Sequence, residues 1–507
     1  MFMLNKTSFK KLLFIFLIIS LFKPTWLLNN ESLSVGSDDL SYWLHSSTLA
    51  FDYDLNYVGD FNFDHPNYHP ETNTPYHSPG SGYAAAIFVK VFSFFDDSNN
   101  LENIRINPIG SFSLLGYLFS SLFYCSLGFN FINKLLLFKN LQLDKKIIFL
   151  LIFVSSLVHY VSIRFLMAHA FEFFLVSYLF YKFETSESIF SKKTFFLLTF
   201  SLFLLSITRP STFIFTLSLF GVYLTKNKLQ KSDLITNLLT LTGFTFCYIQ
   251  LAQLLYKNNN FLVQLEDNNT TKGMTDSLNL DWVINGILET PNLIFSFSMG
   301  LIWSTPVVIL GIFCLFKNNY LQNKSFINQL FIFFYIFGCF LVLYVWQGRE
   351  GSFGQRLLIG IIPFCVYQVC MYLNNKSTKF LIPIISISYL GSLFLYSSSN
   401  LTLQYGITLW DTVIDWAAED YFSVLISEVV KFENLASVFS RTIFFIDGIF
   451  LANFFENLNF INSLNFERKS RLLNFIEIYN NLKLTYFMML NFILFYFAFY
   501  LEKLTRK

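Results

Sequence analysis

Charge is scarce in this chain. Asp, Glu, Lys and Arg make up 13% of its residues, about half the share of a soluble domain. That shortage excludes an ordinary water-soluble enzyme. It also leaves no basic tract for a nucleic acid, so no such partner is expected. Cysteine is sparse as well: Cys125, Cys247, Cys314, Cys339, Cys365 and Cys370 all fall inside apolar runs. None has a partner in an outer loop, which argues against a disulfide framework or a thiolate metal site; they read as small buried side chains. The chain lacks an internal repeat of fixed period, and it lacks the inverted halves many transporters show. A leader cleavage site is missing too. The basic start (Lys6, Lys10, Lys11) and the apolar run from Leu12 to Phe22 are followed by Lys23-Pro24-Thr25-Trp26, with no small-x-small motif. An uncleaved first helix with a cytoplasmic N-terminus is expected.

What is abundant is apolar sequence, 54% of the chain, with a mean hydropathy of +0.49. There are about a dozen continuous runs near the ~20 residues that a helix needs to cross a bilayer. The runs do not alternate, which argues against a β-barrel. The 67 phenylalanines fit an AT-rich coding bias, and no function is read from them. The expected fold is an all-α polytopic membrane protein of about 12–13 transmembrane helices, with a large first outer loop carrying surface helices. Lysine-rich turns at 134–146, 182–193, 226–231, 317–324 and 376–379 alternate with acidic or lysine-poor turns, and this alternation sets the orientation. Expected spans include 11–28, 108–133, 147–163, 167–182, 194–225 (two helices, broken at Arg209-Pro210), 234–256, 293–316, 327–346, 357–373 and 380–397. A transmembrane core would cover 1–397, with an outer catalytic loop at about 29–107. Residues 398–507 would form an outer segment plus one or more C-terminal transmembrane helices. The plasma (inner) membrane of a bacterium is the expected location.

Residues 24–89 hold eight acidic side chains and neither Lys nor Arg. Cytoplasmic loops collect Lys and Arg, so this segment belongs outside. Residues 37–50 lack Gly and Pro and predict a helix on the membrane surface, with Asp38 and Tyr42 on one face at i, i+4. Residues 82–95 predict a second surface helix. Asp38 and Asp39 are candidate acid–base groups or a charged helix start. Asp52 and Asp54 form a second acidic cluster, either a turn or part of a site for an acceptor or metal. His45, His65, His69 and His77 share this segment. Together with the carboxylates they admit a divalent cation, although prolines beside His65 and His69 spoil a helical ligand pair. No cofactor is otherwise implied.

Arg164, Arg209 and Arg356 fall at outer helix ends, against the positive-inside bias. Charges at that depth usually face an interior cavity, and guanidinium groups bind phosphate through forked hydrogen bonds. The three suggest a phosphate pocket on the outer leaflet; the plainer alternative is snorkelling to headgroups. Lys90, His169 and Glu172 are candidates to join them. The loop from Trp346 to Arg356 carries Gly348, Gly351 and Gly354, which let backbone approach a ligand closely.

These pieces resemble the GT-C superfamily of membrane glycosyltransferases, in particular its aminoarabinose-transferase and protein-mannosyltransferase-like members. The resemblance rests on Asp38-Asp39-x-x-Tyr42, then Ser47-x-Leu49-x-x-Asp52-x-Asp54-Leu55 and His77-x-Pro79-Gly80. Thr208-Arg209-Pro210, the run from Gly300 to Pro306 and the Trp346–Arg356 loop continue it. It covers about residues 10–375. It implies a donor sugar on polyprenyl phosphate and a glycan, lipid or protein acceptor. It also implies that Asp38, the first Asp of the motif, is the catalytic base, with Asp39 standing where the family often has Glu. The expected activity is transfer to an acceptor hydroxyl at the outer face with inversion. Arg209 and Arg356 would hold the phosphate, with Tyr42, Asp54, His77, Lys90, Arg164 and His169 around the substrates. The alternative is a transporter or flippase of a lipid-linked or anionic solute, which would use the same arginines without chemistry. A lipid-linked polysaccharide polymerase would share the arginines but not need Asp38.

Overall fold

The computed structural model describes residues 37–57, 60, 68–69, 74–75, 77–106, 108, 111–141, 148, 151–152, 155–162, 164–185, 192–209, 212, 216, 301, 305–322 and 356–374. The spans expected at 11–28, 234–256, 327–346 and 380–397, His65, and the whole of 398–507 lie outside them.

Apart from one pair of two-residue strands, the regular elements among the described residues are helices. The elements in order are α1 (Ser37–Phe51), β1 (Tyr68–His69), β2 (Thr74–Pro75), α2 (Gly80–Ser93), α3 (Leu101–Ile106), α4 (Phe112–Phe138), α5 (Leu157–Ser162), α6 (His169–Thr185), α7 (Lys192–Ser206), α8 (Pro306–Gln322) and α9 (Ile362–Leu373). A 3₁₀ turn, Arg356–Ile361, leads into α9. The strands pair antiparallel, Tyr68 with Pro75 and His69 with Thr74. Among the described residues one helix, α4, is long and apolar enough to cross a membrane; Phe196–Ser206, Pro306–Asn318 and Leu358–Leu373 are shorter apolar helices.

Helix α4 starts later than the expected residue 108 because two groups cap it at Ser111–Ser113. Ser111 Oγ accepts from Leu114 N at 3.1 Å. The Asp96 carboxylate accepts from the backbone N–H of Phe112 (2.7 Å) and of Ser113 (2.8 Å). Both satisfy donors that a helix start leaves open, and the acid also favours that end. The far end closes at Asn140, in the left-handed region with φ 52°, a common way to stop a helix.

Helix α6 packs alongside α4 in the same direction. Gly128 lies against the ring of Phe173, the Phe131 ring sits 5.1 Å from that of Tyr178, and Lys139 pairs with Glu184 at 2.6 Å. Two parallel neighbours are what the expected up-and-down order requires of spans 108–133 and 167–182. Helices α8 and α9 are likewise paired, with Gly311 against Cys365 and Asn318 Nδ2 donating to the Gln368 carbonyl at 3.0 Å.

Three expectations need correction. Helix α1 does not lie on a surface: Tyr42 through Thr48 are all buried, covered by α2, α3, Tyr57 and Asp60. The expected span 147–163 is interrupted at Ser155 and Ser156, where Ser156 Oγ bonds to Thr305 Oγ1 at 2.9 Å. The expected span 293–316 is broken too, since Thr305 is not helical and α8 begins at Pro306. Proline has no N–H to lose and suits a first helical position.

Candidate functional site

Helix α1 brings its acidic start to where α2 and α6 begin, against the flank of α4 and not its start, since α2 runs antiparallel to α4 and reaches Phe112 only at its far end. There Arg164, in the turn before α6, donates to Asp39 Oδ2 from both Nε (2.9 Å) and Nη2 (2.6 Å). Asp39 is buried and Arg164 largely so. Such a pair is retained only with good geometry, because each charge loses its water. Asp38 occupies the first turn of α1, one helical turn before Tyr42; its side chain lies outside the described residues. Tyr42 is buried, its ring 5.6 Å from that of His77.

His77 begins the turn that positions α2. His45 Nε2 bonds the His77 carbonyl oxygen at 2.7 Å, and that oxygen can only accept. Nε2 therefore carries the proton, and Nδ1 accepts from the Tyr57 hydroxyl at 2.6 Å. The Tyr57 oxygen is 3.0 Å from the Tyr83 hydroxyl, which is left to donate to it. Burial holds the His45 pKa down, from 6.5 to about 3, against the pull of the His77 carbonyl. Both ring nitrogens are thus spent, which removes His45 from the divalent-cation idea. Among the described residues, no group of three or more His, Cys, Asp or Glu side chains is placed to hold a metal.

A few ångströms along, the α2 turn reaches the other arginines. Gly80 N donates to the Ile207 carbonyl at 2.9 Å, and the break at Ile207–Arg209 ends α7. Arg209 Nε stands 3.7 Å from Glu172 Oε2. Glu172 is fully buried on the first turn of α6. It accepts from His169 Nδ1 at 2.8 Å, and Thr212 Oγ1 donates to its other oxygen. The His169 ring packs against Tyr160 at a tilt, with ring centroids 4.5 Å apart. Its Nε2 is buried and has no hydrogen-bond partner among the described residues.

The turn that begins with Arg356 closes this cluster. A Cβ added at Gly360 would lie 2.4 Å from Thr212 Cγ2 and 2.6 Å from Glu172 Oε1. Only a hydrogen fits there, so glycine lets the 3₁₀ turn press onto the carboxylate. Arg356 is then close enough to act electrostatically on His169, as Arg209 also does.

The structure thus brings together His169, Glu172, Arg209 and Arg356, and separately Asp39 with Arg164. It does not bring Lys90 or Asp54 to them. Lys90 lies ten residues into α2, ~15 Å along it from Gly80, and stands over the Tyr53 ring at 4.7 Å. Asp54 is exposed and accepts from the backbone of Asn56 in a turn. Asp52 bonds Arg105 Nη2 at 2.5 Å, and Asp60 bonds Arg105 Nη1 at 2.6 Å while accepting from Thr48. Burial raises the Asp60 pKa, opposed by Thr48 and Arg105. Arg105, Asp60, Thr212 and Gly360 escaped the sequence reading. Arg105 carries one signal: after Lys90 it is the first cation to follow a long acidic stretch.

No known family model, curated protein or solved structure matches this chain.

Proposed function

We propose that this chain is a polytopic membrane glycosyltransferase that moves a sugar from a polyprenyl-phosphate donor to an acceptor hydroxyl at the outer face. The observation that carries this reading is the gathering of two arginines about one buried pair: Arg209 stands 3.7 Å from Glu172, and Arg356 acts electrostatically on His169, which bonds Glu172. Two guanidinium groups suit a phosphate, whose negative charge grows as the glycosidic bond breaks. Glu172 offsets their charge while the site is empty and, through His169 and Thr212, fixes where they sit.

Asp38 takes the role of base. The acceptor O–H gives its proton to the Asp38 carboxylate while its oxygen attacks the anomeric carbon. The bond from that carbon to the phosphate oxygen breaks, and polyprenyl phosphate leaves on the opposite face, so the centre inverts. Asp39, held by Arg164, serves to fix the start of α1. The membrane reading rests on α4, on the shorter apolar helices and on the alternation of lysine-rich turns. It places the N-terminus in the cytoplasm and the site outside, in a bacterial plasma membrane.

The test is release of polyprenyl phosphate from a panel of labelled polyprenyl-phosphate sugars by purified wild type and Asp38→Asn. Release by wild type alone supports the transferase and its base together. Equal release by both removes Asp38 from the role. If wild type releases nothing from any donor but moves it across liposomes, the protein is a flippase and the transferase reading fails.

A further inference from the structure

Helix α2 packs mainly through small residues. The face it turns to its neighbours carries Gly82, Ala85, Ala86 and Ser93 with one larger side chain, Val89, all buried. The opposite face carries Ile87, Val91 and Phe94, which are 65%, 52% and 75% exposed. These three fall at i, i+4 and i+7 and form one stripe. Close approach explains the small residues. A Cβ at Gly82 would stand 2.5 Å from His45 Cβ, and one at Gly116 of α4 would stand 2.7 Å from the Phe88 carbonyl oxygen. A helix in water puts its large apolar side chains inward. Small residues at the helix contact and large ones outside are the pattern of a helix whose far side meets hydrocarbon.

We infer that α2, which runs antiparallel along the first half of α4, has Ile87, Val91 and Phe94 set among phospholipid acyl chains of the outer leaflet. The inference rests on the membrane reading given above. Three observations choose lipid as the occupant. The stripe is continuous with the start of α4, since the exposed Phe95 has its ring 5.8 Å from that of Phe112, the first residue of that helix. Helix α2 has 14 residues, ~21 Å, too short to cross ~30 Å of hydrocarbon. Lys90, on the flank of the stripe, stands over the exposed ring of Tyr53. Lys and Tyr of this kind sit at headgroup level, the lysine beside lipid phosphate and the ring at the boundary. The other end of α2 is tied to Ile207 through Gly80. The helix therefore joins the lipid surface to the arginine cluster, and a lipid-linked donor arriving along the leaflet meets α2 first.

Photocrosslinking tests this in the full-length chain, reconstituted in vesicles of phosphatidylethanolamine and phosphatidylglycerol. Benzoylphenylalanine is placed in turn at Ile87, at Phe94, at the buried Val89, and at Phe200, an exposed residue of α7. The expected result is phospholipid adducts at 87, 94 and 200, at least tenfold above those at 89. Lipid adducts at 200 alone, with crosslinks at 94 to another part of the chain or to a second copy, would overturn the inference and leave the membrane reading standing. No lipid adduct at any of the four positions would overturn both.

Discussion

Arg164 places two donors on one carboxylate oxygen of Asp39, 125 residues earlier in the chain. This buried fork ties the first turn of α1 to the turn that begins α6. It holds Asp39 in an ion pair, and the proposed mechanism accordingly gives the role of base to Asp38. Asp39→Asn should leave the Arg164 charge buried without its counter-ion. A loss of roughly 3–5 kcal/mol is expected, seen as a lower Tm in detergent. Combining it with Arg164→Met should recover much of that loss, and a double variant no more stable than Asp39→Asn would contradict the pairing.

Arg105 bonds both Asp60 and Asp52, and its carbonyl accepts from Trp43 Nε1 at 2.9 Å. Arg105→Ala deletes the cation and strands a buried Asp60. The outer segment should then open more often, so limited proteolysis between residues 52 and 106 should speed up severalfold while the helices beyond 112 stay intact. Unchanged cleavage would show that the network holds nothing together.

Acid should loosen the outer segment through His45. Its pKa in the fold is about 3, against 6.5 for the free side chain. Between those values the unfolded chain binds a proton that the folded chain does not. Stability from this group is therefore full above about pH 6.5 and falls as the pH drops toward 3. Asp60 acts the opposite way, because its raised pKa lets the folded state keep a proton longer. His45 contributes a rise of stability with pH in the range below about 6.5. In His45→Gln that slope should flatten, as followed by thermal unfolding at each pH.

Gly360 is the tightest point of the arginine cluster. Gly360→Val should push the Arg356 turn off Thr212 and Glu172 and cut polyprenyl phosphate release more than tenfold. Arg209→Lys should also lower release by about tenfold, because an ammonium keeps the charge but loses the fork. An effect on Tm alone, with release unchanged, would mean that the cluster holds the fold and not a substrate.

Much of the helical layout was legible because it depends on local pattern. The absence of Gly and Pro over 37–50 predicts α1, and the run after Pro108 predicts α4. The break at Arg209 is visible in its own dipeptide with Pro210. What could not be read depends on distant partners. That α1 is buried depends on glycines in α2 and α4 that let neighbours close over it. The Arg105 network needs Asp52 and Asp60, 53 and 45 residues away. The arginine cluster was visible only in part: sidedness picks out Arg209 and Arg356, whereas Glu172 looks like one acid among many until Thr212 and Gly360 are folded against it.

The order in which the chain is made gives the long-range contacts a further meaning. Ser156 waits for Thr305, 149 residues later, and Glu172 waits longer still for the turn at Gly360. If the chain inserts into a membrane as proposed, its first half passes through a stage in which Glu172 and Arg209 are made before the turn at Gly360 that packs against Glu172. That stage lasts until the translocon has released most of the polypeptide. Such a nascent intermediate is the species that a membrane-embedded chaperone would shield or a quality-control protease would cut. On that reading, truncations ending before residue 356 would remain at that stage.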